Sequence, residues 1–217
     1  MKRRHFSAFA AGATLAAGLP RLARAQDESP VIATAGDYTT ITPPLPLSMP
    51  PGTVSVVEFF SFACPWCFEF ETPLEAWLAH KPPAVRFRRS PVPFEHNFRN
   101  FQPMYFALET MGLADTMPRK VFDAVHKEHL RLDKPEDIAA FMKRSGVDAD
   151  KFMDLFTSSA NGAKVAQANE LFNASGADGV PMMMVQGRFL TSPVIARGQA
   201  KVLAVVDRLV AQELAAG

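Results

Sequence analysis

The chain has 217 residues, 48% of them hydrophobic, with a formal net charge of +1. That is enough apolar material for one or two packed domains, and near-neutrality excludes a strongly basic nucleic-acid binder. With Gly 12, Pro 18 and only Cys 2, the chain is neither low-complexity nor a disulfide scaffold.

Residues 1–25 contain the cations Lys2, Arg3, Arg4, Arg21 and Arg24 and no acid. A positive start, a small-residue apolar run from Phe6 to Leu19 and an Ala23-Arg24-Ala25 end have the layout of a bacterial export peptide. The run is shorter than the ~20 residues that span a bilayer. Arg3-Arg4-His5-Phe6 resembles a twin-arginine export signal. Cleavage after Ala25 takes the basic residues from 23 to 18 against 22 acids, leaving a net charge of about −4. The mature chain would work outside the cytoplasm, where disulfides persist.

Residues 26–53 are proline-rich and predict an extended arm, with an edge strand at Tyr38 to Ile41. Val54 to Phe62 is almost continuously apolar and β-prone, the pattern of a strand buried on both faces of a parallel or mixed sheet. A helix should follow, with Pro65 at its first position, a kink at Pro73 and an end at Lys81-Pro82-Pro83. Val85 to Arg89 alternates apolar and cationic residues, as a half-buried strand does. Residues 54–90 therefore read as β-α-β.

From about 98 to 175 the chain reads helical, punctuated at Gly112, Thr116, Pro118, Pro135, Gly146, Asp148 and Gly176. Phe101, Met104, Tyr105 and Leu108 predict one packing face. Ile138, Phe141 and Met142 predict another, and Phe152, Leu155 and Phe156 a third. Strand character returns at Val180 to Val185, followed by a Gln186-Gly187 turn and a short strand at Phe189 to Thr191. Gln199 to Leu214 closes the chain as an amphipathic helix.

Cys64-Pro65-Trp66-Cys67 falls at the first strand-to-helix junction. There Cys64 would meet unpaired backbone N–H groups and the positive end of the helix dipole, which lower a thiol pKa. Cys67, one turn on, would be more shielded. Such a pair exchanges disulfides through a mixed disulfide at Cys64. A structural disulfide closing so small a ring would restrict the unfolded chain little. A zinc site completed by His126 and His129 is the other alternative. Glu58, a carboxylate inside an apolar strand, should stay protonated and could carry the proton of Cys67, unless it faces water from an edge.

The segment from Glu58-Phe59-Phe60-Ser61-Phe62 through Cys64-Pro65-Trp66-Cys67 to Phe68-Glu69-Phe70-Glu71 resembles the active-site segment of the DsbA family of thiol:disulfide interchange proteins. Gly179-Val180-Pro181 before a strand, then Gly187-Arg188-Phe189, resembles its second signature. The resemblance runs from about Tyr38 onward. It implies an α/β thioredoxin fold with an inserted all-helical domain: export signal 1–25, thioredoxin-like domain 26–95 and 176–217, helical domain 96–175. It also implies a dithiol oxidase for reduced exported polypeptides in the periplasm. A quinone-linked membrane partner of the DsbB type would reoxidise it.

By resemblance, the catalytic set is Cys64, Cys67, a cis Pro181 and Glu58. Pro65 and Trp66 tune the redox pair, and Val180, Trp66 and Met182 meet substrate. A monomer with no metal and no organic cofactor is expected. The best-known relatives carry Pro-His between the cysteines, whereas this chain carries Pro-Trp. Arg89 falls where the family's partner lysine is expected, and an arginine cannot give up its proton. The alternatives are a disulfide isomerase or reductant, or a metal-binding or holding module using the same cysteines.

Overall fold

A computed structural model describes residues 31–93 and 99–216. The export segment read at residues 1–25 lies outside the described residues. The chain opens with a hairpin of β1 (Val31–Ala35) and β2 (Tyr38–Thr42). Gly36, with φ at 69°, occupies the first position of its two-residue turn, where a residue without Cβ adopts positive φ at no steric cost. The expectation of an edge strand at Tyr38 to Ile41 is corrected here. β1 lies outside β2, and β2 pairs on its other side with β6 (Phe189–Thr191). β2 thus stands where a strand was expected, whereas β1 had no signal of its own beside the proline-rich stretch that dominates the composition of that segment.

β3 (Val54–Phe60) is buried along its whole length. It pairs in parallel with β4 (Val85–Pro91) and antiparallel with β5 (Met182–Val185). Strands flanked on both sides and covered on both faces read as apolar runs. The six-stranded sheet has the order β1-β2-β6-β5-β3-β4. α1 (Pro65–Leu78) connects β3 to β4 and runs unbroken through Pro73.

Five helices separate β4 from β5: α2 (Phe101–Thr110), α3 (Pro118–His126), α4 (Pro135–Arg144), α5 (Ala149–Phe156) and α6 (Ser159–Ser175). Gly176, at φ 69°, ends α6 in the left-handed conformation, as glycine does at a helix C-terminus. The chain then returns to the sheet, and α7 (Gln199–Ala216) closes it.

Strand alternation sends β3 and β5 side chains to opposite faces. Val56, Met183 and Val185 pack with Phe70, Leu74 and the inward face of α7. Val57, Phe59, Met182 and Met184 pack on the other face with Ile41 and Leu190. A third cluster joins Phe60, Phe62, Cys64 and Cys67 to Met104, Phe122, Ile138, Met142 and Phe152 from the helices. Each Phe removed from water here is worth about 1.5–3 kcal/mol. The cysteines are thus walled by the helical block. This is the α/β thioredoxin fold with inserted helices that the resemblance implies.

Candidate active site

β3 ends at Phe60, two residues short of the predicted limit, because Ser61 to Cys64 form a tight turn. Ser61 Oγ accepts the Ala63 N–H at 3.2 Å, and the Ser61 carbonyl accepts the Cys64 N–H at 3.1 Å. Cys64 is the N-cap of α1 with extended dihedrals, and Pro65 begins the helix. Pro65 has no N–H to leave unpaired at a position where no helical partner exists.

Both cysteines are unbonded and buried. The Cys64 thiol is lowered from 9.0 to about 6. The Cys67 thiol hydrogen bond is the largest cause, with the backbone N–H groups of Cys67 and Trp66 adding to it and burial opposing it. Cys67 is pushed well above its ordinary value by burial, then by the Cys64 thiol and by Glu58. Two thiols one helical turn apart therefore have opposite acidities. The Cys64 Sγ also lies 3.5 Å from the carbonyl oxygen of Val180, whose peptide bond to Pro181 is cis. A second cis bond, Thr42–Pro43, had no signal distinguishing it among the prolines of the arm.

Trp66 is 61% exposed beside the buried pair. Val180 is half-buried and Pro181 buried. Met182 is buried in the sheet core with Phe59 and Leu190. The structure thus brings Cys64 to Val180 and the cis Pro181, with Trp66 exposed between the cysteines, while Met182 lies in a different buried cluster from the two thiols.

Glu58 is fully buried in the middle of β3, with Arg89 as its partner in the β4 register. Arg89 Nε lies 3.1 Å from Glu58 Oε2, and Arg89 Nη2 lies 2.8 Å from Glu71 Oε1. The Glu58 pKa is raised to about 8, because burial outweighs the attraction of Arg89 and the charge of Glu71 adds to the rise. Glu71 is raised too, again mainly by burial. Two buried carboxyls share one guanidinium, so ionising both would leave a net buried negative charge. Retaining a proton relieves it. A solvent-open cavity of about 700 Å³ lined by Glu71, Arg89 and Tyr105 reaches this cluster.

Glu71 stands in the motif that carries the resemblance, but the sequence assigns it no role at the site. Its signal was its spacing, four residues after Cys67 and three before Leu74, which puts it on the buried face of α1. His126 is turned to other work than a metal alternative requires: its Nε2 lies 2.8 Å from the Phe62 carbonyl oxygen, and its ring stacks on Phe68. His129 is exposed at φ 58°. Among the described residues no group of three or more His, Cys, Asp or Glu is gathered to hold a metal ion.

An acidic thiol over a shielded one, at the first strand-to-helix junction of this fold, defines a thiol:disulfide oxidoreductase. Residues 94–202 match the family described as DSBA-like thioredoxin domain. The thiol:disulfide interchange protein DsbA of Burkholderia cepacia is 35% identical over 198 residues, 91% of each chain, a span that takes in the cysteines. The crystal structure of Pseudomonas aeruginosa DsbA superposes with a TM-score of 0.80 at 34% identity, covering 85% of this chain and 95% of that one. The oxidoreductase DsbA from Xylella fastidiosa gives 0.76 at 28% identity, covering 82% and 96%. The chain belongs to the DsbA family.

Proposed function

We propose that this protein is an exported dithiol oxidase that donates the Cys64–Cys67 disulfide to newly exported polypeptides. The observation that carries the reading is the opposed acidity of the two thiols, Cys64 at about 6 and Cys67 well above its usual range. A substrate thiolate attacks Cys64 Sγ, the Cys64–Cys67 bond breaks, and Cys67 departs as a thiolate. Glu58, which holds its proton up to about pH 8, supplies that proton to Cys67. The substrate's second thiolate then attacks its own sulfur in the mixed disulfide and expels Cys64. A thiol of low pKa leaves readily as its thiolate. The products are an oxidised substrate and a reduced enzyme.

The Val180 carbonyl beside Cys64 offers main-chain pairing to an extended substrate strand, and exposed Trp66 adds apolar surface next to the reacting sulfur. Pro181 flanks the thiol, Pro65 sets the helix start, and buried Met182 supports Pro181 from the core. A membrane partner of the DsbB type returns the enzyme to its disulfide. Residues 1–25 direct export to the periplasm, through the general or the twin-arginine route, and are then removed. No helix among the described residues is long and apolar enough to cross a membrane. The division into a thioredoxin-like domain (26–95 and 176–217) and a helical domain (96–175) is supported by five consecutive helices between β4 and β5. The working unit is a monomer.

The test is oxidation of a reduced two-cysteine peptide by the disulfide form and by Cys64→Ala. Wild type should oxidise stoichiometrically and Cys64→Ala not at all. Exchange surviving the loss of Cys64 would overturn the reading.

A further inference from the structure

We propose that His126 is a positioning residue for the reactive thiol: its Nε2–H, reaching from α3 to the carbonyl oxygen of Phe62, pins the turn that sets Cys64 at the start of α1. The peptide between Phe62 and Ala63 is held at both ends. Its carbonyl oxygen lies 2.8 Å from His126 Nε2, and its N–H donates to Ser61 Oγ at 3.2 Å. A carbonyl oxygen only accepts, so Nε2 carries the hydrogen. The Cys64 N–H follows directly and donates to the Ser61 carbonyl at 3.1 Å.

The imidazole is oriented independently of that bond. It stacks on Phe68 at 5.0 Å between centroids and 12° between planes, and on Phe122 at 6.1 Å. Lys127, the next residue, holds its ammonium 5.6 Å over the same Phe68 ring. Phe68 follows Cys67, and its N–H donates to the Cys64 carbonyl at 3.1 Å. The end of α3 therefore grips the cysteine motif on both sides, two residues before Cys64 and one after Cys67. The Phe62 ring is itself packed edge-on among Phe60, Phe101 and Phe122. It stays in place when the carbonyl is released, so the freed peptide can rotate about a fixed side chain.

The consequence falls on Cys64. Its thiolate is stabilised by the Cys67 thiol and by the backbone N–H groups of Cys67 and Trp66. Such bonds weaken steeply as distance and angle drift, so a small rotation before Cys64 takes Sγ out of their aim. Only Pro65 and Trp66 stand between the cysteines, and neither side chain brings an ionisable group. His126 acts through the main chain, from a helix of the inserted block, on the thiol's geometry.

This rests on Cys64 being the exchanging thiol. The wild-type protein tests that reading separately, by whether its ultraviolet thiolate absorbance titrates near pH 6. His126→Phe keeps the stacking and removes the donor, while His126→Gln returns an N–H without the ring. His126→Phe is expected to raise the Cys64 midpoint by about half a pH unit or more, and to move the glutathione equilibrium about threefold or more toward the disulfide. His126→Gln should lie close to wild type. A wild-type midpoint and equilibrium in His126→Phe, or an equal displacement in both variants, would overturn the proposal. Should His126→Phe not fold, Ser61→Ala frees the other end of the same peptide. It is expected to shift both readouts in the same direction, and wild-type values there would overturn the proposal equally.

Discussion

Cys64 is reactive because of what surrounds it, and Trp66 contributes to that only through its main chain. The indole is largely exposed, and its backbone N–H is the part that favours the thiolate. Replacing Trp66 by histidine adds a group that can carry positive charge beside the sulfur. Redox titration of Trp66→His should therefore show a more oxidising pair than wild type, and an unchanged or more reducing potential would contradict this. Glu58 makes a second prediction. Its folded pKa of about 8 lies above the ordinary 4.5. Its contribution to stability is thus fully present below about pH 4.5 and is lost as pH rises through 8. Urea unfolding of the disulfide form should show stability falling across that window, by something on the order of 5 kcal/mol. Glu58→Gln should flatten most of the slope, the remainder belonging to Glu71. Equal slopes in the two proteins would refute the assignment. Cys64, Cys67 and Glu58 were legible because each is chemically conspicuous where it stands. Glu71 was not, because its role exists only once α1 lies over β4 and brings it to Arg89.

At the scale of elements, the strand-to-helix junction was legible from a continuous apolar run followed by proline at a helix start, both local signals. β2 was legible as a strand but its place inside the sheet was not, since its partner β6 lies far along the chain and pairing over that distance leaves no local pattern. The return turn from β5 to β6 shows what holds that distant pairing. Gln186 and Gly187 both have positive φ, and a Cβ on Gly187 would meet the Leu45 carbonyl oxygen at 2.8 Å. The Leu45 N–H donates to the Gly187 carbonyl at 2.9 Å, so the arm after β2 is laced to this turn. Gly187→Ala combines left-handed backbone strain of about 1–2 kcal/mol with that collision. Its melting temperature should fall by roughly 5 °C. An unchanged melting temperature would show that the arm moves aside freely.

At the scale of the molecule, the two cysteines belong to the same buried cluster as the helical block, not to the clusters on either face of the central strands. That placement explains why the amphipathic stripes of residues 98–175 read only as packing faces. Their target, the cysteine turn, is brought to them by the sheet. The central claim is that this arrangement favours the dithiol form. Holding Cys64 at about 6 instead of 9.0 favours it about tenfold at pH 7. The most direct test is the fraction of Cys64–Cys67 disulfide in a glutathione buffer at pH 7 poised near about −200 mV. An oxidase should sit there mainly as the dithiol; a protein found mainly as the disulfide would be a reductant, and the account would be contradicted.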